Sequence, residues 1–355
     1  MERVAIMKLL FITQVVDKND AVLGAYHGWL GALAPHFETI TVICLREGEH
    51  TLPPNVHVYS LGKEKGVASR WRYSGRFLKL VWQKRNEYDA VFVHMNQEYL
   101  LLAGWLWKLW GKKIYLWRNH YSGSLLTDIA AALCTNVFCT SKFSYTARYK
   151  KTMLMPVGID TTRFEPLSGV AHTPRSILFL ARMSPSKRPE ILIEALGMLR
   201  KRGIDYVADF YGSPLPKDKV YYEGLKERVR VLGIDGQVMF HPGVSNNETP
   251  NLYRAHEIFV NTSPSGMLDK TIFEAAACGC LVLSSSRDLA TRLSPQFSFA
   301  GENPTALIEN LTQKLGLLLE SSPAKQKVDT RLLQDIVLQN NLSTLIQELT
   351  KKISS

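Results

Sequence analysis

Two apolar patterns alternate along the chain. Short runs rich in β-branched and aromatic residues occur at 8–13, 39–44, 56–59, 89–94, 113–117 and 136–140. Stretches at 21–33, 68–85 and 97–110, and a shorter one from Ser141, carry a helical pattern. This repetition of strand and helix is the signature of a parallel sheet covered by helices. The rhythm pauses at Pro156-Val-Gly-Ile-Asp160, Phe164-Glu-Pro166 and Ala171-His-Thr-Pro174, which mark a linker. It resumes with strands predicted at 176–181, 207–211, 238–240, 258–261 and 281–283, and helices at 189–201, 220–231 and 270–278. Helical patterns at 303–320 and 329–352 close the chain.

The expected architecture is α/β, with two Rossmann-like domains facing a central cleft. The first covers 1–165, the second 170–328, and a C-terminal helix over 329–355 is expected to pack back toward the first. A length of 355 residues suits two domains. Ligands of open parallel sheets bind beyond the carboxyl ends of the strands, so the default site is the cleft.

Composition is ordinary for a globular protein, with 46% hydrophobic and 21% charged residues. Charge adds more. The net charge is +11, and residues 1–165 hold 21 Lys+Arg against 13 Asp+Glu, while the remainder holds 22 against 19. The excess sits in the first half and attracts nucleic acid, anionic lipid or diphosphates alike. Cys44, Cys134, Cys139, Cys278 and Cys280 form no pair of C-x-x-C units, and buried reduced thiols in a cytosolic protein are expected. Lys8 interrupts the first apolar run and no cleavage site follows, so no signal peptide is expected. The most apolar stretch, 99–107, is shorter than the ~20 residues a span needs. A cytoplasmic location is expected, with peripheral contact at the inner membrane face left open.

Two segments run from strand through loop to helix. In Leu180-Ala-Arg182-Met-Ser-Pro-Ser-Lys187-Arg-Pro, two cations and free backbone N–H groups suit a diphosphate, and a solvated basic helix start suits the same residues. In Asn261-Thr-Ser-Pro-Ser-Gly266-Met-Leu-Asp269-Lys270-Thr-Ile-Phe-Glu274, a glycine lets a ligand approach the backbone. Glu274 lies one turn beyond Lys270, where it suits a ribose diol or an intrahelical ion pair.

Taken together, Arg182-x4-Lys187 and Phe273-Glu274-Ala-Ala-Ala-Cys-Gly279 resemble the donor-binding half of the retaining family-4 glycosyltransferases, which have the GT-B fold. Pro156-x-Gly158-Ile-Asp160-x-x-x-Phe164 resembles their interdomain signature. Phe210-Tyr-Gly212 and Phe240-His-Pro-Gly243-Val244 resemble their strand-end loops. The resemblance implies that Arg182 and Lys187 hold a donor diphosphate, that Glu274 binds ribose, and that Gly266, Met267, Leu268, Asp269 and Lys270 form the loop beside phosphate and sugar. Gly212, Gly243 and Val244 would lie near the base. One departure stands out. The family has two glutamates separated by seven residues, and the first position here is Gly266. Asp269 is the candidate substitute carboxylate, and Lys270 a candidate charge opposite the phosphates.

On the acceptor side, Asp17, Asp20 and Gly24 follow the first strand, with an N-cap at Asp20 as the plain reading. His94 and His120 end strands, and His120 resembles the family's histidine near the donor sugar. The catalytic candidates are His120, Asp269, Lys187 and Arg182. No Asp-x-Asp triplet occurs, so neither metal nor other cofactor is expected, and fixed cations would neutralise the leaving group. Arg70-Trp71-Arg72-Tyr73, Arg76, Lys79, Trp82, Lys84, Arg85, Trp105, Trp107, Trp110, Lys112 and Lys113 suit either an anionic membrane surface or buried aromatics beneath a solvated face. The leading expectation is a retaining transferase that moves a sugar from a nucleotide diphosphate to a hydroxyl of a glycan or lipid-linked acceptor. A sugar-nucleotide epimerase and a non-catalytic two-domain binding protein are the alternatives. Nucleic acid is not an expected partner.

Overall fold

The computed structural model describes residues 7–20, 23–66, 69–266, 268–292, 295–321 and 323–354, with backbone alone for 291–292 and 323–329. The chain divides into two units, 1–158 with 342–355, and 159–341.

The first unit holds a seven-stranded sheet ordered β3-β2-β1-β4-β5-β6-β7. Its strands are β1 (Lys8–Val16), β2 (Thr39–Glu47), β3 (Val56–Ser60), β4 (Ala90–His94), β5 (Lys113–Trp117), β6 (Asn136–Cys139) and β7 (Thr152–Leu154). All pairs are parallel. Leu9, Leu10, Phe11 and Ile12 are fully buried, as a strand covered on both faces requires. The helices are α1 (Ala25–Leu33), α2 (Arg70–Gln83), α3 (Glu98–Leu109) and α4 (Leu125–Leu133).

The second unit holds a five-stranded parallel sheet ordered β10-β9-β8-β11-β12. Its strands are β8 (Thr173–Leu180), β9 (Val207–Tyr211), β10 (Val238–His241), β11 (His256–Asn261) and β12 (Leu281–Ser284). Around it lie α5 (Pro189–Lys201), α6 (Lys219–Val231), α7 (Thr249–Ala255), α8 (Lys270–Ala277), α9 (Arg287–Arg292), α10 (Pro304–Leu319) and α11 (Pro323–Gln339). α12 (Leu342–Ser354) returns to the first unit, where Leu345, Ile346, Leu349 and Ile353 join the core of Trp29, Leu30 and Phe11. Both units are α/β with parallel sheets, the GT-B class of architecture.

Several elements differ from the sequence pattern. The helix expected over 329–352 is two, because Asn340 ends the first and its carbonyl accepts the Ile159 N–H at 2.9 Å. Residues 159–165, expected in the first domain, fold with the second: the carbonyls of Arg163 and Glu165 accept the Arg254 guanidinium. The helix expected from Ala21 begins at Ala25, and residues 21 and 22 lie outside those described. After Ser141 there is only a 3₁₀ turn, Tyr145–Arg148. The five cysteines are buried free thiols.

The strand order reverses between β1 and β4 in the first unit and between β8 and β11 in the second. The crevice beyond the carboxyl ends of such a pair is where doubly wound sheets take their ligands.

Candidate functional site

In the second unit, the loop leaving β8 meets the loop leaving β11. Lys187 reaches both carboxylate oxygens of Asp269, at 2.8 and 2.6 Å, and the Ser263 hydroxyl at 3.2 Å. Asp269 also accepts from the Asn261 amide at 3.0 Å and the Ser263 hydroxyl at 2.5 Å. Asn261 is the last residue of β11, so the cluster hangs from the sheet itself. Burial works to raise the Asp269 pKa, but the Lys187 charge and these donors outweigh it and hold the carboxyl below the usual range.

A second tie lies beside the first. Arg188 donates to the Thr262 carbonyl at 2.7 Å and to the Ser285 hydroxyl at 2.9 Å, joining the loops after β8, β11 and β12. The Thr262 hydroxyl answers by donating to the carbonyls of Lys187 and Arg188. Arg188 takes a left-handed conformation with φ 51°, which Pro189 at the first position of α5 then continues into helix.

α8 begins directly after Asp269. Lys270 is its first residue, a cation at the positive end of a helix dipole. Burial pushes the Lys270 pKa down, with Glu274 opposing, and burial pushes Glu274 up, with Lys270 opposing. Glu274 is buried and accepts from the Tyr253 hydroxyl at 3.1 Å. An anion at this helix start would relieve the charge that the dipole and burial both disfavour. In the preceding loop Leu268 is strained at φ 29°, while Gly266 takes φ 94°, which glycine adopts readily. Met267 lies outside the described residues.

Arg182 is exposed, with no ion pair among the described residues, and remains available to a ligand. On the other side of β8, the Gly212 backbone passes so close to the Ala181 carbonyl that a Cβ would lie 1.9 Å from it. Only glycine fits there. The Gly243 N–H donates to the Ser213 hydroxyl at 3.0 Å, and Val244 is half-buried.

Asp269, the candidate substitute carboxylate near the donor sugar, is the counter-ion of Lys187, and a lysine this enclosed needs a fixed anion. Lys270, the candidate charge opposite the phosphates, shares a helix face with Glu274. Arg188, Asn261, Thr262, Ser263 and Tyr253 were not singled out from sequence. The polar triplet 261–263, closing an apolar strand, was the available signal.

The first unit is built differently. Asp17 accepts from the Asn19 N–H at 2.9 Å, and Asp20 from the Leu23 N–H at 2.8 Å while pairing with Arg46. Gly24 has ordinary right-handed geometry before α1. His94 is not an exposed strand end: it is buried, its Nδ1 lies 3.3 Å from the Thr13 hydroxyl, and its ring packs on Tyr26. His120 is half-buried and stacks on Tyr121. Its Nδ1 lies 3.0 Å from the Ser122 backbone nitrogen, 3.2 Å from the Ser122 carbonyl and 2.7 Å from the Ser122 hydroxyl. Trp71, Trp82, Trp105 and Leu109 are exposed on α2 and α3, whereas Trp107 is fully buried. No helix among the described residues is long and apolar enough to cross a membrane.

Residues 160–325 match the family model described as Glycosyl transferases group 1. Among curated relatives, a D-inositol 3-phosphate glycosyltransferase of Arthrobacter sp. (strain FB24) is 30% identical over 155 residues, covering 40% of this chain and 35% of that protein. The mannosylfructose-phosphate synthase of Agrobacterium fabrum is 27% identical over 147 residues, covering 38% and 32%. The chain thus spans about a third of the length of these relatives. HepE of Anabaena, solved in complex with UDP and glucose, superposes with a TM-score of 0.76 over 98% of this chain and 99% of that one. At 20% identity that likeness establishes the fold.

Proposed function

We propose, from the match of residues 160–325 to the family model of the group 1 glycosyl transferases, that this chain transfers a sugar from a nucleotide diphosphate to a hydroxyl acceptor. The observation that carries the reading is the charged network at the β8/β11 reversal, with Arg182 exposed beside it. In the reaction the bond from the anomeric carbon to the diphosphate oxygen breaks, and the acceptor oxygen takes its place and loses its proton. Negative charge develops on the departing diphosphate. Arg182, Lys187 and the N-terminal ends of α5 and α8 are the groups suited to stabilise it. Glu274 is assigned to the ribose. His120 is assigned to the sugar side, and Asp17 and Asp20 to the acceptor loop. Retention of configuration is carried by the motif resemblance, and a uridine nucleotide is favoured by the ligand of HepE.

The exposed Trp71, Trp82, Trp105 and Leu109, with Arg70, Arg72, Arg76 and Lys79 around them, support docking on anionic membrane and a lipid-linked acceptor. Flotation with phosphatidylglycerol vesicles, but not neutral ones, is the expected result.

A panel of UDP-, GDP- and ADP-sugars tests the main reading by thermal stabilisation and by release of nucleotide diphosphate when an acceptor is present. One donor should stabilise the protein and turn over, and activity should survive EDTA. Stabilisation by none of them would refute the reading.

A further inference from the structure

We infer that Asp269 is a positioning residue that holds the Lys187 ammonium in place for the diphosphate, and is not a contact to the donor sugar. The inference rests on the nucleotide-sugar reading above.

A lysine ammonium has three N–H groups, and Lys187 faces three acceptors: the two Asp269 oxygens and the Ser263 hydroxyl. A lysine stem is flexible, so fixing its head requires such a cage. The cage is rigid because Asn261 and Ser263 hold the same Asp269 oxygen. That oxygen therefore accepts from Lys187, Asn261 and Ser263 at once, and the other from Lys187, leaving little capacity for a sugar hydroxyl. Of the three Lys187 contacts, the Ser263 hydroxyl is the longest and the only neutral one. An arriving phosphate oxygen replaces it with a charge-assisted bond while Asp269 keeps its grip. The ammonium is then oriented before the ligand arrives, which is what makes a fixed charge effective in a transition state.

The test is a cycle of Lys187→Met, Asp269→Asn and the double variant. Binding of UDP, GDP and ADP is measured by calorimetry, and kcat and KM with the accepted nucleotide sugar. Lys187→Met should weaken nucleotide diphosphate binding about tenfold or more, since it leaves a carboxylate facing the anion. Asp269→Asn should bind the nucleotide at least as tightly as wild type yet lower kcat about tenfold or more, because the charge stays but its aim is lost. The double variant should bind more tightly than Lys187→Met alone, a rescue that a merely structural residue does not give. Should Asp269→Asn prove unfolded, Ser263→Ala serves instead and should lower kcat with nucleotide affinity unchanged. Loss of nucleotide affinity in Asp269→Asn equal to that in Lys187→Met, absence of rescue, or an altered ranking of sugars with kcat intact would overturn the inference. Failure of the wild type to bind any of the three nucleotides would instead overturn the function on which it rests.

Discussion

Across the β8/β11 reversal of the second unit, the contact is an ion pair between residues 82 positions apart in sequence, braced by Arg188. Across the β1/β4 reversal of the first unit, the contacts among the described residues join a hydroxyl to an imidazole and an amide to a phenol: Thr13 to His94, and Gln14 to Tyr99. The charges after β1 turn the other way, Asp20 to Arg46 and Lys18 to Glu49 at the end of β2. The two sheets share a topology but not the chemistry at its ligand-binding point. A diphosphate is a fixed, multiply charged target, and fixed cations recognise it best when they are held before it arrives. Acceptors vary, and locally bonded loops leave side chains to adapt to them.

The largest expected effect is that of Lys187→Ala. It strands the Asp269 carboxylate, costing about 2–3 kcal/mol of stability in urea unfolding, and lowers kcat/KM about 100-fold. A variant with unchanged unfolding would show that the pair does not hold the second unit's loops together. Arg182→Ala comes next. Its guanidinium is exposed, so stability should stay within about 0.5 kcal/mol, while nucleotide diphosphate affinity falls about 10- to 100-fold in calorimetry. A third effect follows from Lys270, whose ammonium burial makes easier to deprotonate than an ordinary lysine. Raising the pH from about 7 to about 9 removes that positive charge and should weaken the nucleotide a few-fold, and Lys270→Arg should flatten the profile. The smallest effect belongs to the first unit. Asp20→Asn removes an ion pair with Arg46 but keeps an oxygen for the Leu23 N–H, so stability should change by about 1 kcal/mol or less and nucleotide affinity not at all. Weakened nucleotide binding in Asp20→Asn would erase the contrast between the units.

Sequence and structure agree where local chemistry decides the outcome. The apolar run at 113–117 is β5, and the pattern at 189–201 is α5, bounded by Pro189 and by basic residues in the last turn. The basic loop 182–187 and the glycine loop near 266 were legible because a strand leads into each and a helix leads out. α7 and α9 were not, since helices of seven and six residues give too little periodicity to stand out, and α4 was missed although α1, of the same nine-residue length, was read. The role of Asp269 was hidden for a different reason. Its partner is 82 residues away, and only the adjacency of β8 and β11 brings the two together. Neither charge alone indicates whether it faces a ligand or the other. His94 and His120 both end apolar runs, and only their packing separates a buried core histidine from one in a partly open loop.

Hydrogen exchange read by mass spectrometry, with and without a nucleotide diphosphate, tests the division between the two units most directly. Protection should appear in 182–188 and 262–274 and leave 17–20, 94 and 120 unchanged. Protection confined to the first unit, or none in the loops after β8 and β11 at saturating nucleotide, would contradict it.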